Sequence, residues 1–175
     1  MNMLIPMFSF LLITGCSSIV YPVSKLPQVD LQKFMGKWYV VAGRFTFLEK
    51  NVHNALEVYN WNEEKKRIDI SFTYHQGDFR GPIKSIPQKG WVVDQLTKSH
   101  WKVSPFWPLK LDYFILDLDE NYRWTAIGVP NQKYLWIMTR SNIVNLDEIQ
   151  MIINRLINKG YKVDKIVYVP HEWTK

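Results

Sequence analysis

Arg67-Ile68-Asp69-Ile70-Ser71-Phe72-Thr73-Tyr74-His75 decides how this chain folds. Ile68, Ile70, Phe72 and Tyr74 occupy every second position, and Asp69, Ser71, Thr73 and His75 fill the places between. A β-strand turns successive side chains to opposite faces, so the alternation predicts a strand with one apolar and one polar face. The apolar face is expected to point inward. Seven more stretches are rich in aromatic and β-branched residues: about 36–45, 55–61, 82–94, 100–104, 111–117, 122–129 and 134–140. Turn-forming breaks separate many of them: Asn62-Glu63-Glu64-Lys65, Gln76-Gly77-Asp78, Leu96-Thr97-Lys98-Ser99, Asp119-Glu120-Asn121 and Pro130-Asn131-Gln132. Pro87 and Gly90 predict a bulge or an edge within 82–94.

Eight consecutive strands with short turns form an antiparallel meander. Closing it into a barrel removes the exposed edges. An eight-stranded barrel has room inside for its own side chains or for one small ligand. The expected fold is therefore all-β, an eight-stranded up-and-down barrel. Asp30 can cap a helical turn over 31–35, which Gly36 stops. Near the end, Asn145 and Glu148 form an N-terminal box before Ile149, Ile152, Ile153, Leu156 and Ile157. Their spacing gives one apolar stripe, so a helix over about 146–159 should lie on the outside of the sheet. A short final strand is expected over 165–169.

The chain has 175 residues, a formal charge of +6 and a single cysteine, Cys16. Cys16 follows an uncharged run over 1–15, within Ile13-Thr14-Gly15-Cys16-Ser17-Ser18. The apolar core of that run, 3–14, suits a signal h-region of roughly 7–15 residues and is short of the roughly 20 that span a bilayer. A lone thiol after two small residues reads as a lipobox. The expectation is a lipoprotein signal peptide over 1–15, acylation of Cys16 and a tether over 16–28. Acylation leaves no thiol for a disulfide, a metal site or a nucleophile. The scattered Lys and Arg form no run of the nucleic-acid-binding kind.

Three short motifs carry a family resemblance. Phe34-Met35-Gly36-Lys37-Trp38-Tyr39 resembles the first signature of lipocalins, G-x-W at the start of the first strand. Asp112-Tyr113 resembles the second, T-D-Y, with Leu111 in place of threonine. Tyr134-Leu135-Trp136-Ile137-Met138-Thr139-Arg140 resembles the third, an arginine ending the last barrel strand. The resemblance spans about 28–170 and is nearest to bacterial outer-membrane lipocalins. It implies one lipocalin domain over 29–175, with a barrel over about 36–140. It also implies a calyx closed by Trp38 and Arg140, with Gly36 and Asp112 as structural residues. Ser17, not aspartate, after the cysteine implies sorting to the outer membrane of a Gram-negative cell.

Family members of this kind bind fatty acids or lysophospholipids, for lipid storage, transport or scavenging. Tyr113 and Trp136 match positions that face the calyx. Phe72 and Tyr74 share the face expected to point inward. All four are candidate ligand-lining residues, and plain core filling is the competing reading for each. A barrel filled by its own side chains, working as an envelope protein-interaction module, is the alternative function. The Pro105-Phe106-Trp107-Pro108-Leu109 loop is open to two readings, contact with a membrane or partner and packing against the barrel. Residues 48–53 are expected to form the loop over the open end. The membrane, reached through Cys16, is one expected partner; a homodimer is another.

No catalytic or metal site is expected, and no cofactor. His53, His75, His100 and His171 are dispersed without metal-ligand spacing. No G-x-S-x-G elbow is present. Asp117, Asp119 and Glu120 are expected to form a solvated face beside a turn.

Overall fold

A computed structural model describes residues 20–46, 49 and 51–173. Cys16 and the segment 1–15 lie outside the described residues. In chain order the elements are α1 (Leu31–Phe34), β1 (Gly36–Arg44), β2 (Val52–Asn62), β3 (Arg67–Gln76), β4 (Ile83–Val92) and β5 (His100–Ser104). Then come β6 (Leu111–Leu118), β7 (Trp124–Gly128), β8 (Leu135–Thr139), α2 (Leu146–Asn158) and β9 (Val167–Tyr168). Strands β1 to β8 are antiparallel neighbours in sequence order, and β1 pairs with both β2 and β8, which closes the barrel. Strand β9 adds to β1 through Ala42↔Tyr168 and Gly43↔Val167.

Departures from the expected boundaries have local causes. Strand β2 starts at Val52, inside the expected 48–53 loop, because a bulge between His53 and Leu56 breaks its alternation. Asn54 in that bulge takes a left-handed φ of 50°. Strand β9 is shorter than 165–169 because Lys165 is left-handed, with φ 54°. Gly36 opens β1 at φ 95°, a conformation that favours glycine, beside the Arg140 guanidinium.

Two apolar clusters follow from strand alternation. Inside the barrel, Trp38, Val40, Tyr59, Ile70, Phe72, Tyr74, Trp101, Ile115 and Met138 pack together. Outside, Val41, Phe114, Leu116, Trp124, Ala126 and Ile137 meet Ile149, Ile152, Ile153 and Leu156 of α2. Burying each such aliphatic side chain contributes about 1.5–3 kcal/mol. Asn145 caps α2, its carboxamide oxygen accepting from Asp147 N and Glu148 N. Ile157, expected on the buried stripe, is instead half-exposed at the helix end.

Two further expectations are corrected. Asp117 is no solvated group: it is 2 % exposed and pairs with Arg155 (2.7 Å) and Lys159 (2.7 Å) of α2. Burial alone would raise its carboxyl, but hydrogen bonds from Arg155 and Lys159 outweigh that and hold it below the usual range. The pair pins the helix to the barrel wall. The described part of the expected tether, residues 20–28, is docked on the fold. Tyr21 is buried, its N–H bonds Pro130 O (2.8 Å), and its ring meets Tyr161 edge-on at 5.2 Å. Leu26 is buried as well. Apolar side chains at these two positions find the seam between α2 and the barrel.

Candidate functional site: the barrel interior

Alternating connections place the β2–β3, β4–β5 and β6–β7 turns at one end of the barrel, with α1 across it. This end is closed. The Trp38 indole N–H donates to Phe34 O (2.8 Å). Phe34 packs on Trp38, Tyr59 and Trp101 at 5.2–5.4 Å between ring centres. Arg140 lies over the Trp38 ring at 3.7 Å and donates to Lys37 O (2.7 Å), Lys33 O (2.7 Å) and Met35 O (2.9 Å). Burial lowers its guanidinium pKa to about 10, so the cation is retained at neutral pH.

Above this floor stand the four candidate lining residues. Phe72 and Tyr74 are buried on the inner face of β3, their ring centres 5.1 Å apart. The Tyr113 ring stacks on Trp101 at 5.5 Å. Trp136 packs against the same inner cluster, nearer the other end. Asp112 is elsewhere, on the outer wall, accepting from His100 Nε2 (2.7 Å) and Lys102 Nζ (2.7 Å). Burial works against the Asp112 carboxylate, and these two partners still bring it below its ordinary range.

The interior also holds a polar group that sequence reading missed. Glu57, 7 % exposed, accepts from the Tyr59 hydroxyl, and the Tyr59 and Tyr113 hydroxyl oxygens are 2.5 Å apart. Burial, and then the nearby Glu49 charge, push the Glu57 carboxyl up to about 8. Burial raises the Tyr113 phenol well above its ordinary value too, with Glu57 and Glu49 adding to it. At neutral pH, Glu57 is therefore mainly a neutral acid. The β2–β3 register accounts for its place: Glu57 lies directly across from Phe72, and directly opposed residues share a face. At the opposite end, expected to be the open one, Glu49 Oε1 accepts the Trp136 indole N–H (2.7 Å), while Oε2 accepts from the Thr46 N–H (3.0 Å) and hydroxyl (2.7 Å). Glu49 thus ties the β1–β2 connection to the inner wall.

Among the described residues, no group of three or more His, Cys, Asp or Glu is placed to hold a metal ion. No described helix is long and apolar enough to cross a membrane.

A closed barrel, a floor of tryptophan under arginine and an outer helix narrow the family. The lipocalin-like domain family matches residues 29–171. The chain belongs to the lipocalin family. Among curated relatives, this lipocalin is 25 % identical over 162 residues to the outer membrane lipoprotein Blc of Vibrio cholerae, covering 92 % of this chain and 94 % of the relative. The Escherichia coli K12 protein of the same name is 25 % identical, with 90 % and 89 % covered. Temperature-induced lipocalin-1 of Arabidopsis thaliana is 26 % identical, with 83 % and 81 % covered. Among solved structures, insecticyanin of the tobacco hornworm superposes with a TM-score of 0.64 at 13 % identity, covering 86 % of this chain and 84 % of that one. Apocrustacyanin C2 gives 0.63 at 13 % identity, with 82 % and 80 % covered. These two share the lipocalin fold.

Proposed function

We propose that this lipocalin is held at the outer membrane by acylated Cys16 and binds one single-chain lipid, a fatty acid or a lysophospholipid. Storage, transport or scavenging of that lipid is its role, and binding rather than catalysis is its chemistry. On this reading 1–15 is a removed signal peptide and 29–175 is one domain. Phe72, Tyr74, Tyr113 and Trp136 line the ligand. Gly36, Trp38, Asp112 and Arg140 are structural. The single observation that carries the reading is the barrel interior, an apolar cluster that holds a polar group, Glu57–Tyr59–Tyr113. Ligand sites have this make-up, mostly apolar with a few convergent polar groups. The outer membrane lipoproteins among the relatives support the location.

Burying a 16-carbon chain contributes on the order of 10 kcal/mol gross, at about 0.8 per methylene. Association costs remove several of these, which leaves micromolar or somewhat tighter binding. Tryptophan fluorescence of the chain from Ser17, titrated with palmitate and with lysophosphatidylethanolamine, tests the proposal. Saturable quenching with one molecule per chain is expected. Linear, non-saturating signals with both ligands would sink it.

A further inference from the structure

One end of the barrel differs from the other in charge and in apolar exposure. The β1–β2, β3–β4, β5–β6 and β7–β8 connections all lie at the open end. There the β5–β6 loop presents Trp107 and Phe106 to solvent, 89 % and 61 % exposed, with Leu109 beside them. Isolated exposed apolar residues are ordinary, but two aromatics and a leucine on one loop form a patch. Tryptophan suits a lipid–water interface, with a wide apolar face and one polar N–H.

The cations follow the same end. Arg80, Lys84, Lys110 and Lys133 are exposed on its connections and strand starts. The segment after α2 is seated there as well: Tyr161 Oη donates to Tyr134 O (2.7 Å), and Lys162 N–H to Gln132 Oε1 (2.7 Å). It adds the exposed Lys162 and Lys165. The acids of this end are fewer than its cations: Asp78 and Glu172 are exposed, and the other two are engaged. Asp164 pairs with Arg44, and Glu49 turns inward to Trp136. At the closed end, Glu63, Glu64, Asp119 and Glu120 offset the basic residues of the same turns.

Chain geometry gives a third, separate pointer. Tyr21 is fixed to Pro130 of the β7–β8 connection. Tyr21 is five residue steps from Cys16, and an extended chain covers at most about 3.5 Å per step, roughly 17 Å in all. An acylated Cys16 therefore holds the open end, not the closed end, near the bilayer.

We propose that the open end is a membrane-docking surface: the Phe106-Trp107 loop enters the interface of an anionic bilayer, the surrounding lysines and arginines meet its phosphates, and the calyx mouth faces the lipid. The part concerning Cys16 rests on the acylation proposed above; the loop and its cations do not. A chain delivered in this orientation reaches the calyx mouth without crossing open water.

The test mixes the unacylated chain from Ser17, which contains every described strand and helix, with two kinds of vesicle. One kind is phosphatidylethanolamine with phosphatidylglycerol; the other is phosphatidylcholine alone. Co-sedimentation with the anionic vesicles is expected, weakening as salt is raised. The double variant Phe106→Ser, Trp107→Ser should partition at least tenfold less at an unchanged melting temperature, because both side chains are exposed. Equal partitioning of wild type and variant overturns the proposal. So does an absence of vesicle binding accompanied by a concentration-dependent dimer that the variant abolishes, which assigns the patch to a second copy. For orientation, the acylated protein is placed in vesicles of brominated phosphatidylglycerol. Quenching should fall when Trp107 is replaced by Phe, and identical quenching overturns the membrane-facing placement. If palmitate fails to label Cys16, the acylation is wrong and the partition experiment still decides the loop.

Discussion

Arg140 and Trp38 are 102 positions apart in sequence, and the guanidinium lies 3.7 Å over the indole. Strand β8 delivers the arginine to the end of the barrel where β1 begins, so the contact forms only when the sheet closes. The same guanidinium takes up carbonyls of Lys33, Met35 and Lys37 that end α1 and start β1. Replacing Arg140 by Lys keeps a charge but loses the planar fork and leaves several of these carbonyls without their donor. Urea denaturation should show a loss of about 2–4 kcal/mol. A loss under 0.5 kcal/mol would contradict this account.

Replacing Trp136 by Ala should weaken lipid binding about tenfold or more and leave the fold intact, since Trp136 is only partly buried in the inner cluster. Trp136→Phe separates two effects, because it keeps an aromatic ring and removes the N–H held by Glu49. Isothermal titration with lysophosphatidylethanolamine checks both variants. Unchanged affinity in Trp136→Ala removes this residue from the lining.

The Glu57 carboxyl, raised to about 8 by burial, makes stability depend on pH. The unfolded chain releases this proton near pH 4.5, while the folded chain keeps it to about pH 8. The folded state thus binds more protons across that window, and stability falls as pH rises through it. The full effect is about 3–5 kcal/mol at about 1.4 per unit. His171, whose ring burial holds more neutral, acts in the opposite sense near its usual range. The clean measure is therefore wild type minus Glu57→Gln, by thermal melting from pH 5 to pH 8.5. A difference that does not change with pH refutes a buried neutral acid.

Palmitate should bind less well as pH rises past 8, because an ionised Glu57 joins Glu49 in repelling the ligand carboxylate. A neutral or zwitterionic head is affected less. Titrations at pH 6.5 and pH 9 with palmitate and with lysophosphatidylethanolamine compare the two. The same ratio for both ligands would show that Glu57 does not face the head.

Asp117→Asn should cost about 3 kcal/mol, for it leaves Arg155 and Lys159 against the barrel without their counter-charge. In the wild type the contribution is present at neutral pH and is lost as pH falls through the lowered carboxyl value. Hydrogen exchange should show the loss first in α2.

Much of the fold was legible because its signals are local. Period-two alternation marks β3, and turn residues separate the strands. Asn145 caps α2, and its apolar stripe foretells an outer helix. The structure turns Phe72 and Tyr74 inward as expected and leaves Phe106 and Trp107 exposed. Glu57 was not legible. Leu56 and Val58 flank it and look like the buried pair, yet the bulge at Asn54 shifts the phase and leaves both half-exposed, with Glu57 and Tyr59 inside. Asp117 was misread for a related reason, since its partners lie 38 and 42 residues away on α2.

The sequence by itself determined the strands and the outer helix, because each depends on neighbours along the chain, and the tryptophan and arginine of the floor were legible only through their resemblance to family signatures. Only the tertiary structure decided which carboxyls are buried, that residues 20–28 are docked and not free, and which end of the barrel gathers the aromatics and the cations. Those properties depend on strand phase across a bulge and on groups brought together by barrel closure, and no local pattern encodes either.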